Sequence, residues 1–204
     1  MDGQRPTVAA VILAAGASRR LGQPKQLLQM DGESLLRRSA RMAVESGCQP
    51  VFAVVGFEAA RMAIELANLP VQAVVNENWA SGLASSLRKG VVQALARRPE
   101  VDALLLLVCD QPQLAVTHLS SLLTAHRQAG RPITASEYGG KVGVPAVLAR
   151  SVCPELLLLE GDAGAREVIR RDPARVKAVA WQPGLIDIDL PRDLPRLNGS
   201  EPGR

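Results

Sequence analysis

Apolar residues fall in short unbroken runs, separated by stretches in which they recur every three or four positions. The runs cover residues 8–15, 51–55, 71–75, 103–109 and 176–181. Most are continuous rather than alternating, the pattern of strands covered on both faces. Between them the spacing predicts helices. One spans about 33–46, with Leu36, Ala40, Ala43 and Val44 on one face and Gly47 as its stop. A second covers about 58–67 and uses Ala59, Ala63, Leu66 and Ala67. A third, about 83–96, uses Leu83, Leu87, Val91 and Ala94. A fourth, about 116–128, uses Leu119, Leu122 and Leu123, and a short one covers 163–171. Strands alternating with helices over short connections predict an α/β fold. We expect a single-domain, three-layer sandwich with a mostly parallel sheet. Residues 133–147 break the rhythm: Glu137-Tyr138-Gly139-Gly140-Lys141 reads as a turn between two short strands, a small antiparallel excursion. The domain is expected over residues 1–194. The tail, 195–204, carries Asn, Gly, Ser and Pro and is expected to fray.

Composition narrows the classes. The chain has 204 residues, 47% hydrophobic and 22% charged, which suits one ordinary globular core. Aromatics are 2%, so the core is aliphatic and base stacking on single-stranded nucleic acid is disfavoured. The net charge of +4 is spread along the chain, and paired arginines such as Arg37-Arg38 fit solvated helix faces better than a nucleic-acid stripe. No apolar stretch reaches membrane-spanning length. Residues 8–15 resemble a signal-peptide core in length, but only Arg5 precedes them and Arg19-Arg20 comes after, so a buried first strand fits better. Cys48, Cys109 and Cys153 are odd in number and widely spaced. This favours a reducing, cytoplasmic setting and no Cys/His metal site. His118 and His126 read as structural, and Cys109 as a buried small residue.

In open α/β sheets, ligands bind beyond the carboxyl ends of the strands. The segments just past the strands are polar here. After the first strand comes a loop with Gly16, Ser18, Arg20, Gly22 and Lys25; after the second, Gly56. After the third come Asn76 and Gly82, with Ser85 opening the next helix; after the fourth comes Asp110, then Gln111-Pro112. The first loop has the makings of a phosphate cradle. It fits neither the P-loop spacing nor the dinucleotide fingerprint, and an ordinary glycine-rich surface loop explains it equally well. Asp110 needs a partner, and beside phosphates Mg²⁺ is an economical one; a turn aspartate is the plainer reading. Asp187-Ile188-Asp189 puts two carboxylates on one side of an extended segment, as a second ligand or as a solvent-facing edge. Capping by Ser81 accounts for the start of the third helix without a ligand. Asp162 reads as the cap of the helix carrying Arg166, a candidate contact for an anionic second substrate.

Several of these pieces together resemble one family. Leu13-Ala14-Ala15-Gly16-x-Ser18-x-Arg20-Leu21-Gly22-x-x-Lys25 resembles the signature loop of the MobA-like nucleotidyltransferases. Cys109-Asp110-Gln111-Pro112 is similar to that family's metal-binding strand end. Asn76…Trp79…Gly82…Ser85-Ser86, Gly161-Asp162-x-Gly164-Ala165-Arg166 and Asp187-Ile188-Asp189 narrow the resemblance to its molybdenum cofactor cytidylyltransferase branch. The chain departs from that branch at Val144 and Leu190, where histidine and threonine are usual. The resemblance covers roughly 8–194. It implies Mg²⁺-dependent transfer of CMP from CTP to the terminal phosphate of molybdopterin, with release of pyrophosphate. It also implies transient contact with a recipient molybdoenzyme or its chaperone. Carried over, Leu13, Ala14, Ala15, Gly16, Gly56, Asn76, Gly82 and Ser85 bind the nucleotide and Arg20 and Lys25 its phosphates. Asp110 and Asp189 hold the metal, with Asp187 the rival for second ligand, and Asp162 and Arg166 meet the acceptor. Ala14-Ala15-Gly16 replaces the Ala-Gly-Gly of the guanylyl branch and points to cytidine. Other acceptors, such as a sugar phosphate, remain open. So does a catalytically silent nucleotide-binding partner of a molybdoenzyme.

Overall fold

Each buried apolar run becomes a strand, and each periodic stretch a helix laid across the sheet. The computed structural model describes residues 6–198. In chain order the elements are β1 (Val8–Ala14), β2 (Gln29–Met30), β3 (Glu33–Ser34), α1 (Leu35–Glu45), β4 (Val51–Val55), α2 (Ala59–Glu65) and β5 (Val71–Val75). Then come α3 (Leu83–Arg97), β6 (Ala103–Val108), α4 (Val116–Ala129), β7 (Ile133–Tyr138), β8 (Lys141–Ala149), α5 (Cys153–Leu157), α6 (Ala165–Arg171) and β9 (Val176–Ala180). A seven-stranded sheet has the order β5-β4-β1-β6-β8-β7-β9. β5, β4, β1 and β6 pair in parallel; β8 is antiparallel to both β6 and β7, and β9 is parallel to β7. β8 is thus the one reversed strand of the seven, and it is the excursion expected around residue 140.

The sheet has a core on each face. Val8, Ala10, Ile12 and Ala14 of β1 face one cluster with Leu36 and Ala40 of α1 and Leu119 and Leu122 of α4. Ala9 and Val11 face the other, with Leu87 and Val91 of α3, Leu156 of α5 and Ile169 of α6. This two-sided burial explains why β1, β4 and β6 are apolar throughout. Gly90 lets α3 lie close to the sheet: a Cβ there would sit 2.4 Å from Val11 Cγ1.

Three local expectations change. The first helix starts at Leu35 rather than near residue 33, because Glu33–Ser34 pair with Gln29–Met30 in a small hairpin and Ser34 Oγ caps the helix by accepting from the Arg37 amide at 3.2 Å. Ser81 does not cap α3: the cap position is Gly82, with no side-chain cap, and Ser81 Oγ donates to the Asn78 carbonyl. Asp162 does not cap α6, whose cap position is Gly164. At the C-terminal end, a 3-10 helix covers Pro191–Asn198 and buries Leu197. Residues 195–198 are therefore folded, and the rest of the expected frayed tail lies outside the described residues. Among the described residues no helix is long and apolar enough to cross a membrane.

Candidate functional site

The carboxyl ends of β1 and β6 lie side by side, because these strands pair in parallel from Val8↔Ala103 to Leu13↔Val108. The loops leaving them, Ala15–Pro24 and Cys109–Gln111, therefore share one edge. Two clefts open there. The first, about 500 Å³, is lined by Ala15, Gly16, Lys25, Trp79, Gly82, Leu83 and Asp162 among others. The second, about 360 Å³, is lined by Gln111, Val144, Arg166, Arg170 and Asp187. Leu13, Leu83, Val108, Asp110 and Asp162 line both. Asp110 therefore stands where the two clefts meet.

Around it sits a group of four charges. Lys25 Nζ lies 2.5 Å from Asp110 Oδ2 and 3.1 Å from Asp189 Oδ1. Arg20 Nη2 takes the other oxygen of Asp189 at 3.3 Å. Burial lowers the Lys25 ammonium, but the Asp110 and Asp189 carboxylates outweigh it and the net shift is upward. Asp187 lies beside them with a buried Oδ1 that has no hydrogen-bond partner. Burial first, then the charges of Asp110 and Asp189, push its carboxyl up to about 6. Ile188, between the two aspartates, is fully buried and its amide donates to the Asp110 carbonyl at 2.9 Å. That bond ties the late acidic segment to the end of β6.

These groups suit a hard divalent cation. Asp110 and Asp189 converge on one point, supply only oxygen, and leave room for water and phosphate. Among the described residues no cluster of three or more His, Cys, Asp or Glu is arranged to hold a metal.

The remaining expected residues divide by position. Leu13, Ala15, Gly16 and Gly82 line the first cleft. Gly82 has φ +111, and a Cβ on it would lie 2.2 Å from the Gly161 carbonyl oxygen, so the loops carrying Gly82 and Asp162 abut. Arg166 lines the second cleft and its Nη2 donates to Tyr138 Oη at 3.4 Å. Ala14, Asn76, Ser85 and Gly56 line neither cleft, and Asn76 and Ser85 border a separate one with Arg88 and Lys89. Asn76 is buried and its Nδ2 donates to Ser85 Oγ at 2.9 Å and Ser86 Oγ at 3.0 Å. Gly56 makes room for Trp79, whose Cβ lies 2.5 Å from where a Gly56 Cβ would be. Arg20 is 73% exposed and reaches the site only through Asp189. His118 stacks on Trp181 at 4.5 Å, well inside the fold, and burial drives the Cys109 thiol up to about 12, which leaves it inert as a nucleophile.

Three residues give little sign of their role in the sequence. Gln26 is buried and its Nε2 donates to the carbonyls of Ala14 at 2.9 Å and Gly16 at 2.8 Å, which pins the loop after β1. Gln111 Nε2 donates to the Val144 carbonyl at 3.3 Å, joining β6 to β8 across the second cleft. Trp79 stands out in the sequence only as part of a motif, yet it walls the first cleft and packs edge-on against Phe57 at 5.6 Å.

Known proteins resemble this chain in sequence and in fold. A probable molybdenum cofactor guanylyltransferase of Synechococcus elongatus is 40% identical over 118 residues, 55% of each chain. The chain is 34% identical to nicotine blue oxidoreductase of Paenarthrobacter nicotinovorans, over 91% of this chain and 89% of that protein. Among solved structures, Rv0371c of Mycobacterium tuberculosis superimposes with a TM-score of 0.80 at 32% identity, covering 97% of this chain and 100% of that one. A manganese complex of Rv0371c superimposes at 0.76 with 30% identity, covering 96% of this chain and 100% of that one. The MobA-like NTP transferase domain matches residues 10–177, from the first strand through the start of the last, and the chain belongs to that family.

Proposed function

We propose that this protein transfers CMP from CTP to the terminal phosphate of molybdopterin and releases pyrophosphate. The observation that carries a transfer reaction is the position of Asp110, at the junction of two clefts with Lys25 in contact with it. A donor nucleotide in the first cleft and an acceptor in the second would bring their reacting phosphates together at that junction. Arg166 and Arg170 line the second cleft beside Asp110, Asp162, Glu167 and Asp187, and are the cations that a phosphorylated acceptor would meet there.

The nucleophile is already an anion, so no strong base is needed. The work left to the protein is positioning and charge neutralisation. The loop pinned by Gln26 presents the Ala15 and Gly16 backbone to the nucleotide. Lys25 and Arg20 are the cations for the triphosphate and the departing pyrophosphate. Asp110 and Asp189 would hold Mg²⁺, which neutralises charge on the phosphates when bound; the manganese complex of Rv0371c is consistent with such a site. Cytidine is favoured by Ala15, whose methyl narrows the first cleft where the guanylyl branch has glycine. The guanylyltransferase among the relatives makes the base the point to test.

The test is pyrophosphate release from CTP, GTP, ATP and UTP with molybdopterin and Mg²⁺. CTP is expected to exceed GTP by ~10–200-fold, the range one steric difference supports. Equal or better use of GTP would reject the cytidine assignment. Pyrophosphate with a sugar phosphate but not with molybdopterin would move the acceptor to that class. Nucleotide binding without turnover would make the protein a silent partner. One relative is named as an oxidoreductase, so oxidation of an added reduced nicotinamide cofactor is followed in parallel reactions; such oxidation without pyrophosphate would replace the transfer reading. Asp110→Asn should lower turnover by about a hundredfold or more and leave the fold intact, because the amide keeps the shape and loses the charge.

A further inference from the structure

The charges at the cleft junction are arranged in closed pairs. Lys25 Nζ touches one oxygen of Asp110 at 2.5 Å and one of Asp189 at 3.1 Å. Arg20 takes the remaining oxygen of Asp189 at 3.3 Å. Two cations and two carboxylates thus cancel. Lys25 and Asp110 are mostly buried, with side-chain exposures of 22% and 18%, so this contact is shielded from solvent.

The closed arrangement has a consequence for binding order. Mg²⁺ takes oxygen ligands at about 2.0–2.1 Å. An ammonium already at hydrogen-bond distance from the same oxygens blocks that approach, by occupancy and by like charge. A metal ion arriving alone would evict Lys25 with no anion to receive it. A polyphosphate arriving alone would draw Lys25 and Arg20 away and leave two carboxylates facing its own negative charge. When both arrive together, the carboxylates take the cation and Lys25 and Arg20 take phosphate oxygens, so neither the carboxylates nor the displaced cations are left without a partner.

We propose that Lys25 stands in for the divalent cation between Asp110 and Asp189, and that it yields this place more readily to metal and polyphosphate together than to either alone. Lys25 then has two successive partners: the carboxylates in the resting site and the phosphates in the loaded one. The inference rests on the nucleotidyl-transfer reading for the identity of the polyphosphate, but its measurements need no acceptor and no turnover.

The test is binding of Mn²⁺ alone to the full chain, monitored by electron paramagnetic resonance of the free ion. Lys25→Met is expected to bind Mn²⁺ roughly tenfold more tightly than the unaltered protein, a coupling of ordinary size. Lys25→Arg keeps the positive charge and is expected to stay within about threefold of the unaltered protein. Adding Asp110→Asn to Lys25→Met should abolish the gain. Unchanged or weaker Mn²⁺ binding by Lys25→Met overturns the proposal. Should Lys25→Met not fold, thermal melting of the unaltered protein decides. Mn²⁺ with inorganic tripolyphosphate should raise Tm by more than the sum of their separate shifts, and an additive result overturns the proposal. The two readings fail separately. Tighter Mn²⁺ binding by Lys25→Met with no pyrophosphate from any nucleotide would remove the transfer reading and leave the exchange. Pyrophosphate release without the gain in Mn²⁺ affinity would do the reverse.

Discussion

Gln26 shows how one side chain sets a binding loop. Its amide nitrogen donates to two backbone carbonyls, Ala14 and Gly16. Gln26→Leu keeps the bulk and strands both acceptors. The expected cost is about 2 kcal/mol of stability by urea denaturation, since each unmet buried partner carries a desolvation penalty. The KM for nucleotide should rise in parallel, because the Ala15 and Gly16 backbone loses its anchor. Unchanged stability and unchanged KM would show that the loop holds itself. The place of Asp110 was legible in the sequence, since a charged residue just past an apolar strand stands out, whereas Lys25 stood out only as a cation in the long polar loop after the first strand. Gln26 and Gln111 were not. Their partners are carbonyls 10 or more positions away, and a glutamine after a lysine carries no local sign of burial. Asp162 and Ser81 failed the other way. Each has the local form of a helix cap, but Gly82 and Gly161 come so close that the chain obeys that packing instead.

Among the elements, α3 is held against β1 by the missing side chain of Gly90. A Cβ there would meet Val11 Cγ1 at 2.4 Å and Val54 Cγ2 at 3.0 Å, both on stiff branched residues. Alanine improves helix propensity by about 1 kcal/mol, but overpacking costs ~1–3 kcal/mol. Gly90→Ala should therefore be net destabilising by about 1 kcal/mol in chemical denaturation; a more stable variant would mean that the helix can shift at little cost. The strands of this sheet were readable because burial on both faces removes polar residues, and that pattern needs no tertiary knowledge. The β2–β3 hairpin was not readable from periodicity, since Leu36 and Ala40 extend a helical pattern back over Glu33. Asp31-Gly32, both at positive φ, was the signal for it.

For the molecule as a whole, buried histidine weakens the fold in acid, opposed over the same range by Asp187, whose carboxyl is raised to about 6. His118 stacks on Trp181, and its Nε2 lies 2.7 Å from Ser136 Oγ. Burial holds its imidazole down to about 4, against an ordinary value of 6.5. The unfolded chain therefore takes up a proton near 6.5, whereas the folded one resists until about 4. The stabilisation is complete above pH 6.5 and is lost as pH falls towards 4, by roughly 2–3 kcal/mol. His126 is lowered too, by burial first and then by Arg127, and adds in the same direction. In melting curves between pH 7.5 and 4, the unaltered protein should lose more stability than His118→Gln over the same range. Parallel profiles in the two proteins would show that His118 titrates normally.

The reversed strand divides the sheet into two blocks. β5, β4, β1 and β6 are complete by Val108, and β7, β8 and β9 are added after it, joined to the first block along β6 and β8. The clefts straddle that seam: Asp110 and the first loop belong to one block, Val144 and the segment after β9 to the other. The candidate site is therefore built where these two blocks meet, and ligands bound there would touch both. Amide hydrogens of Leu104–Leu106 and Ala146–Leu148 should exchange through opening of this joint, and metal with nucleotide should slow them far more than the amides of β5. Occupancy would then be written into the exchange of the two strands that meet there.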